Sequence, residues 1–224
     1  MQIRYLGHAA FAIEHDGRTV LIDPFLTGNP KAAASADEVG ADAIFLTHGH
    51  ADHVGDTVAI AKRTGAPVVA IVELANELAE EGVTVHDPNL GGTVDLGWVS
   101  VRLVPAWHTS TTPKGTVSTP AGLVIEIGGK RIYHLGDTAL FSDLSLVHRR
   151  GHIDLAIVPI GGHYTMDRFD AVVAAELLKA DQIIPCHYNT FPPIETDAQA
   201  FKADVEQAGY AEVIVLDPGQ AHEL

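Results

Sequence analysis

Residues 47–53 of the chain read Thr47-His48-Gly49-His50-Ala51-Asp52-His53. This stretch directly follows the apolar run 43–46, which has the composition of a buried strand. Ordinary folding gives no reason to place three imidazoles and one carboxylate so close together, whereas a pair of divalent metal ions does. A histidine-rich surface loop that binds metal incidentally is the alternative, and the ordered H-x-H-x-D-H spacing argues against it.

The spacing of these four side chains predicts how they divide between two ions. In an extended segment, residues two apart point the same way, so His48 and His50 can reach one ion together. If a helix begins near Asp52, then Asp52 and His53 turn away and can serve a neighbouring ion. Imidazole suits zinc, iron and nickel, and carboxylate oxygen adds manganese. We expect two divalent metal ions per chain, with zinc as first choice and manganese, iron or nickel as alternatives.

Length and composition predict one domain at residues 1–224 with a core of its own. A domain of this length buries roughly 70–75% of its unfolded surface and needs no disulfides. Cys186 is the only cysteine, which fits a reducing cytoplasm. The first residues lack a signal-peptide pattern, and no apolar run approaches the ~20 residues that span a bilayer. We expect a soluble cytoplasmic protein without a membrane partner.

The charge balance bears on the partners of the protein. The 14 Lys and Arg against 29 Asp and Glu give a formal net charge of −15. Long polyanions bind through clustered Lys and Arg, so this balance argues against a nucleic-acid partner and favours a small-molecule substrate. Bound metal cations would compensate part of the negative charge. The sequence makes no prediction about oligomeric state, and a homo-oligomer stays open.

The order of predicted elements indicates the architecture. Strands are predicted at 3–6, 9–14, 19–23, 43–46, 68–70, 83–85, 92–96, 98–105, 122–127, 131–135, 153–159, 182–185 and 212–216. Helices are predicted at 52–63, 72–81, 144–150, 171–179 and 197–209, and the Ala-rich segment 31–36 is either a short helix or a loop. Hairpins therefore come first and β-α-β units later. This order predicts a layered α/β architecture in which two mixed sheets face each other with helices outside.

Three further ligand candidates each follow a predicted strand. His108 follows the strand 98–105, and the strands that end at 135 and 185 lead into Asp137 and His187. Loops at strand ends are where rigid scaffolds usually hold reactive groups. A lone histidine after a strand is more often a hydrogen-bonded surface or core residue. Each of these candidates is therefore convincing as a metal ligand only in combination with the loop 47–53.

The order H-x-H-x-D-H, His, Asp, His resembles the metallo-β-lactamase superfamily. The motifs GHAAF at 7–11 and LIDP at 21–24 narrow the resemblance to a compact bacterial and archaeal branch of metal-dependent hydrolases, related to L-ascorbate-6-phosphate lactonase. The resemblance covers essentially the whole chain and is specific for fold and metal site but weak for substrate. It implies a four-layer αβ/βα sandwich with two mixed β-sheets and the metals at one edge of the sheets.

The resemblance also implies a ligand set. One ion would be held by His48, His50 and His108, the second by Asp52, His53 and His187, and Asp137 would bridge both. Asp23 matches the first motif of the superfamily and is expected to orient a ligand through a hydrogen bond. His8 and His134 lie near motif positions, where a supporting contact to a ligand and a buried structural role are both open.

Such a metal pair predicts hydrolysis without a serine or cysteine nucleophile. Two cations roughly 3.5–4 Å apart lower the pKa of a shared water to give hydroxide near neutral pH, and they polarise the oxygen of the bond to be cleaved. The predicted substrate is a small molecule with an ester, lactone, amide or phosphodiester bond. Asp52 is predicted to be catalytic as well as a ligand, because it can orient the hydroxide or shuttle its proton.

His163 is the further catalytic candidate, in the loop 160–166 after the strand 153–159. Its functional interpretation is a proton donor for the leaving group. The alternative is a loop histidine paired with a carboxylate.

Other polar residues near the predicted ligands have weaker interpretations. The hydroxyl-rich segment 109–120 is either a substrate lid, with Lys114 contacting an anionic group, or a solvated hairpin loop. Arg168 is a similar candidate, with plain surface exposure as its alternative. Trp107 is expected to pack near the site as a wall, and Cys186 to be a buried structural thiol.

Three other functions compete with a small-molecule hydrolase. A nuclease or phosphodiesterase acting on nucleic acid or cyclic nucleotides is the main alternative, and the acidic charge balance and lack of an RNA-gripping insertion argue against it. A di-iron oxidoreductase of this fold would carry an acidic residue in place of His50 and an attached flavin domain. A non-catalytic metal-binding protein would not need the adjacent lid.

Overall fold

The computed structural model describes residues 1–224 and contains two seven-stranded sheets. In spatial order, the first sheet consists of β14 (Ala221–Glu223), β1 (Gln2–Gly7), β2 (Ala10–His15), β3 (Arg18–Ile22), β4 (Ala43–Phe45), β5 (Val68–Val69) and β6 (Val85–His86). The second consists of β13 (Glu212–Val213), β12 (Ala180–Cys186), β11 (Ile153–Pro159), β10 (Lys130–His134), β9 (Ala121–Ile127), β8 (Val99–Pro105) and β7 (Thr93–Asp95). Two sheets of mixed pairing confirm the predicted architecture.

Each sheet is antiparallel on one side and parallel on the other. In the first sheet, β14 through β3 pair antiparallel, and β3 through β6 pair parallel. In the second, β7 through β10 pair antiparallel, and β10 through β13 pair parallel. Antiparallel hairpins and parallel β-α-β units thus both occur in each sheet. The sequence predicts hairpins in the first half of the chain and β-α-β units in the second half. Strand β14 was not predicted, because its three residues carry no strand pattern and form a strand by pairing with β1.

The helices are α1 (Ala51–Val54), α2 (Thr57–Thr64), α3 (Val72–Glu80), α4 (Ser145–His148), α5 (Arg168–Leu178) and α6 (Ala198–Ala208), with 3₁₀ turns at Ser142–Leu144 and Pro192–Ile194. The helix predicted at 52–63 is therefore two helices. It breaks at Gly55, whose φ is 41° and where an added Cβ would lie 2.5 Å from the Pro24 carbonyl oxygen. The Ala-rich segment 31–36 contains no helix and is a loop.

The larger apolar core lies between the two sheets. It joins buried residues of the first sheet, such as Ile3 and Phe45, to buried residues of the second, such as Leu103 and Ile125. A second cluster, which includes Phe201 of α6, fills the space between the second sheet and its helices. This layering confirms the predicted sandwich. None of the helices is both long and apolar enough to cross a membrane.

Candidate metal centre

The loops that follow β4, β8, β10 and β12 bring the seven predicted ligands into one cluster. These residues are His48, His50, Asp52, His53, His108, Asp137 and His187. They come from both sheets, so the cluster forms only when the sandwich closes. The sequence predicted four members from the spacing within the loop 47–53 and three from their positions after strands, and the tertiary structure brings them together.

The cluster divides into the two groups that the superfamily resemblance implied. Nitrogen atoms of His48, His50 and His108 lie within 4.8 Å of one another. Within this group, Nε2 of His48 and Nδ1 of His50 are 3.0 Å apart, as expected for residues two apart in an extended segment. A separate group of the same compactness contains Asp52, His53 and His187 together with His8, which the implied ligand set did not include. Helix α1 begins at Ala51, next to the predicted start near Asp52, and has His50 as its N-cap residue.

Asp137 lies between the two groups. One of its carboxylate oxygens, Oδ2, lies 3.5 Å from Nε2 of His108 and 3.2 Å from Nε2 of His187. Oδ1 lies 3.4 Å from Nε2 of His53. Burial opposes ionisation of Asp137, but the neighbouring His187 and His53 outweigh burial and hold its pKa well below its usual range. A buried, ionised carboxylate that faces both groups has the position required of a bridging ligand.

The unpaired atoms of the cluster fit divalent cations. Nε2 of His53, Nε2 of His187 and Oδ1 of Asp137 are buried and have no hydrogen-bond partner. Buried polar atoms without partners are costly and rare in folded proteins. The carboxylates of Asp52 and Asp137 form ion pairs only with histidines, so no Lys or Arg neutralises them. Cations among these atoms would satisfy both the lone pairs and the charge.

Asp23 connects the loop 47–53 to the first sheet and forms the predicted hydrogen bond to a candidate ligand, His53. Its Oδ2 accepts from Nδ1 of His53 at 2.7 Å and from the Thr47 hydroxyl at 2.6 Å, and its Oδ1 accepts from the Thr47 backbone N–H. Burial disfavours the charged form of His53, but Asp137 and Asp23 outweigh burial and raise its pKa. Thr47 was not predicted to take part, although it opens the motif.

His8 contacts the site, a role that the sequence alone left open. It is fully buried, and its Nε2 lies 3.1 Å from Oδ2 of Asp52. Its ring centroid is 4.0 Å from that of His187, and its carbonyl oxygen accepts from the His187 backbone N–H at 2.7 Å. Burial lowers the pKa of His8 to about 4, against the opposing effect of Asp52. A neutral His8 thus supports two members of the cluster.

His134 and Cys186, in contrast, have structural positions. The Gly136 backbone N–H donates to Nδ1 of His134 at 3.0 Å, and Nε2 lies 3.3 Å from the Ala9 carbonyl oxygen. These contacts use both ring nitrogens within the core. Cys186 is buried, as predicted, and burial raises the pKa of its thiol.

The two cationic candidates already have partners. Lys114 forms an ion pair with Glu81 at the end of α3, and Arg168 forms one with Asp204 of α6. The segment that contains Lys114 folds back on itself through a bridge between Thr111 and Val117, which agrees with the hairpin interpretation. These contacts give both cations structural roles at the surface.

Two further candidates, His163 and Trp107, are exposed. His163 is exposed and forms no ion pair with a carboxylate, so the predicted alternative for this residue is wrong. The loop 160–166 is joined to Thr138, the residue after Asp137, because the Met166 N–H donates to the Thr138 carbonyl oxygen. Trp107 does not pack as expected but is 68% exposed, and its backbone N–H donates to the Thr138 hydroxyl.

Comparison with known proteins places this geometry in a family. The family model described as "Beta-lactamase superfamily domain" matches residues 2–187 of this chain. The chain belongs to the metallo-β-lactamase superfamily. Among superfamily members it is 50% identical to a UPF0173 metal-dependent hydrolase of Thermococcus onnurineus over 227 residues, which cover 100% of each chain. It is 49% identical to a UPF0173 metal-dependent hydrolase of Thermus thermophilus, over 100% of this chain and 99% of the relative.

Solved structures have the same fold. Igni18, a metallo hydrolase from Ignicoccus hospitalis, superposes with a TM-score of 0.91 at 37% identity, and the match covers 100% of this chain and 98% of Igni18. An isothiocyanate hydrolase from Delia radicum gut bacteria superposes with a TM-score of 0.77 at 16% identity, over 100% and 99% of the two chains, and shares the fold alone. The predicted superfamily is thus confirmed.

Proposed function

We propose that this chain is a metal-dependent hydrolase that holds two divalent metal ions and cleaves an ester, lactone, amide or phosphodiester bond of a small molecule. The observation that carries the proposal is the pair of compact ligand groups with the buried carboxylate of Asp137 between them. The names of its relatives support it, since they are called metal-dependent hydrolases. A buried, unpaired Cys186 agrees with a reducing compartment such as the cytoplasm.

The chain's own residues define the open side of the site. His48, His53 and His187 are almost fully buried, whereas His108 is 13% and Asp52 37% exposed at the side chain. Substrate would therefore approach from the side of His108 and Asp52. A pair of bound cations would lower the pKa of a shared water and polarise the substrate oxygen.

Asp52 and His163 are the groups proposed to handle protons. Oδ2 of Asp52 accepts from His8, which holds the carboxylate in one orientation and leaves Oδ1 for water or metal. Burial opposes ionisation of Asp52, but the hydrogen bond from His8 and the charge of His53 outweigh burial and lower its pKa. His163 is exposed and not engaged by a carboxylate, so it is available to donate a proton to a leaving group.

Metal content tests the first part of the proposal. Elemental analysis of the purified protein should show close to two metals per chain, with zinc expected first and manganese, iron or nickel as alternatives. A content well under one metal per chain would contradict a dinuclear site.

Substrate turnover tests the second part. A panel of lactones, phosphodiesters, thioesters and amides should contain at least one hydrolysed compound, and His50→Ala should abolish that activity. The variant His163→Gln should lower kcat by at least about 10²-fold without changing metal content. Activity of His50→Ala equal to that of the wild type would assign the observed hydrolysis to another site or a contaminant.

A further inference from the structure

A cavity of about 450 Å³ lies on the outer face of the second sheet, beside the segment that contains α4. Its floor includes Val104, Val124 and Tyr133, which belong to the apolar cluster on the helix side of this sheet. Their sequence neighbours Leu103 and Ile125 belong to the core between the sheets, as strand alternation requires. None of the seven proposed metal ligands lines this cavity. Its volume is that of an ordinary small-molecule site.

Arg102 places an unsatisfied positive group in this cavity. It lies on β8, lines the cavity, and its Nε is buried without a hydrogen-bond partner. Of the other two arginines that line the cavity, Arg131 forms an ion pair with Glu126, and Arg150 is exposed. The Arg102 residue as a whole is partly exposed and forms no ion pair, and a guanidinium keeps its proton in proteins, so its positive charge is available to a ligand in the cavity.

Tyr133 provides a second polar group without a partner. It is 1% exposed, lines the cavity and makes no hydrogen bond through its hydroxyl to the protein. Burial raises its pKa well above the usual range, so the hydroxyl stays neutral and can donate. Val104, Val124 and the half-exposed Leu146 supply apolar walls next to these donors.

We propose that this cavity binds a small amphipathic monocarboxylate, with Arg102 and Tyr133 on the carboxylate and the apolar walls around an aliphatic or aromatic body. A planar guanidinium matches a carboxylate through two parallel hydrogen bonds. Three arginines (Arg102, Arg131 and Arg150) and two acidic residues (Glu126 and Asp143) line the cavity, and Arg131 is paired with Glu126, so one negative charge on the ligand balances the lining. The site is separate from the proposed catalytic function and stands if that function fails.

Isothermal titration calorimetry of the purified full-length protein with octanoate and 3-phenylpropionate tests this site. We expect saturable 1:1 binding of at least one carboxylate, and at least 10-fold weaker binding of octanamide, which lacks the charge. Arg102→Gln should weaken carboxylate binding about 10- to 100-fold. Arg149→Gln, a change at an exposed arginine that does not line the cavity, should bind as the wild type does.

Two further measurements distinguish binding from a structural role of Arg102. Without ligand, the melting temperature of Arg102→Gln should equal or exceed that of the wild type, because an unpaired charge is removed. Leu146→Asp should also weaken octanoate binding, since it places a like charge at the half-exposed wall. Absence of saturable binding by either carboxylate would overturn the proposal. Binding that survives both Arg102→Gln and Leu146→Asp but is lost in His50→Ala would assign the carboxylate to the metal centre and overturn it equally.

Discussion

His8 donates a hydrogen bond from Nε2 to Oδ2 of Asp52 across 3.1 Å and so ties the turn after β1 to a proposed metal ligand. A carboxylate only accepts, so Nε2 carries the proton. The other ring nitrogen, Nδ1, lies 2.9 Å from the Thr190 hydroxyl and accepts from it. These two hydrogen bonds fix both the tautomer of His8 and the orientation of the Asp52 carboxylate.

Removal of this support should weaken one of the two metal positions. We expect His8→Ala to lower the affinity for one ion about 10- to 100-fold, the usual effect of removing a group that orients a ligand. Metal release during chelator titration, followed by elemental analysis, should then show one ion lost before the other. His8→Gln, whose amide N–H can donate, should recover part of the affinity, and His86→Ala on β6 should have no effect. Identical release from His8→Ala and wild type would contradict this role.

Asp23→Asn should disable His53 as a ligand while preserving the backbone. Asp23 has a φ of 43°, a conformation that asparagine tolerates. The new amide would present N–H groups to Nδ1 of His53, which would then have to accept, so the proton would move to Nε2. Nε2 is the nitrogen that faces Asp137, and a protonated Nε2 cannot bind metal. We expect metal affinity to fall by about 10- to 100-fold with a near-native circular dichroism spectrum. Full metal content in this variant would refute the tautomer argument.

Gly161→Ala should disturb the strand end that holds His187. A Cβ at Gly161 would lie 2.2 Å from the His187 carbonyl oxygen and 2.9 Å from Cβ of Ile194, so the loop must shift. Overpacking of this kind costs about 1–3 kcal/mol. Gly40→Ala is the matched control, because nothing lies within 4 Å of its added Cβ and its φ is ordinary, and it should change stability by about 0.5 kcal/mol or less. Urea unfolding measures both, and equal midpoints for the two variants would contradict the prediction.

His134 should make the metal-free protein sensitive to acid. Burial lowers its pKa in the folded state, whereas the unfolded chain binds a proton near pH 6.5. The unfolded state therefore binds more protons below about pH 6.5, and stability falls as the pH falls through this window. The urea midpoint should drop between about pH 7.5 and about pH 5.5, and His134→Gln should reduce the drop. A drop of the same size in both proteins would exclude His134 as a contributor.

The sequence by itself determined the ligand loop and the strand-end positions of the remaining ligands. A dense H-x-H-x-D-H motif after an apolar run is hard to explain except by metal binding. Its spacing sets the direction of each side chain, because all of them lie in one local segment. The two mixed sheets also followed from local patterns of hairpins and β-α-β units. The sequence shows a glycine at position 55, but it does not show that the helix breaks there. The break depends on contact with Pro24 and Phe25, which lie about 30 residues away in the chain.

Only the tertiary structure decided which polar residues support the ligands and which pair elsewhere. His8 and Thr47 reach the site through contacts with Asp52 and Asp23, and Arg168 is held by Asp204 on another helix. The unpaired Arg102 likewise cannot be recognised from its place in a strand. Partners distant in the chain set these roles, since hydrogen bonding and charge depend on neighbours in space that no local pattern encodes.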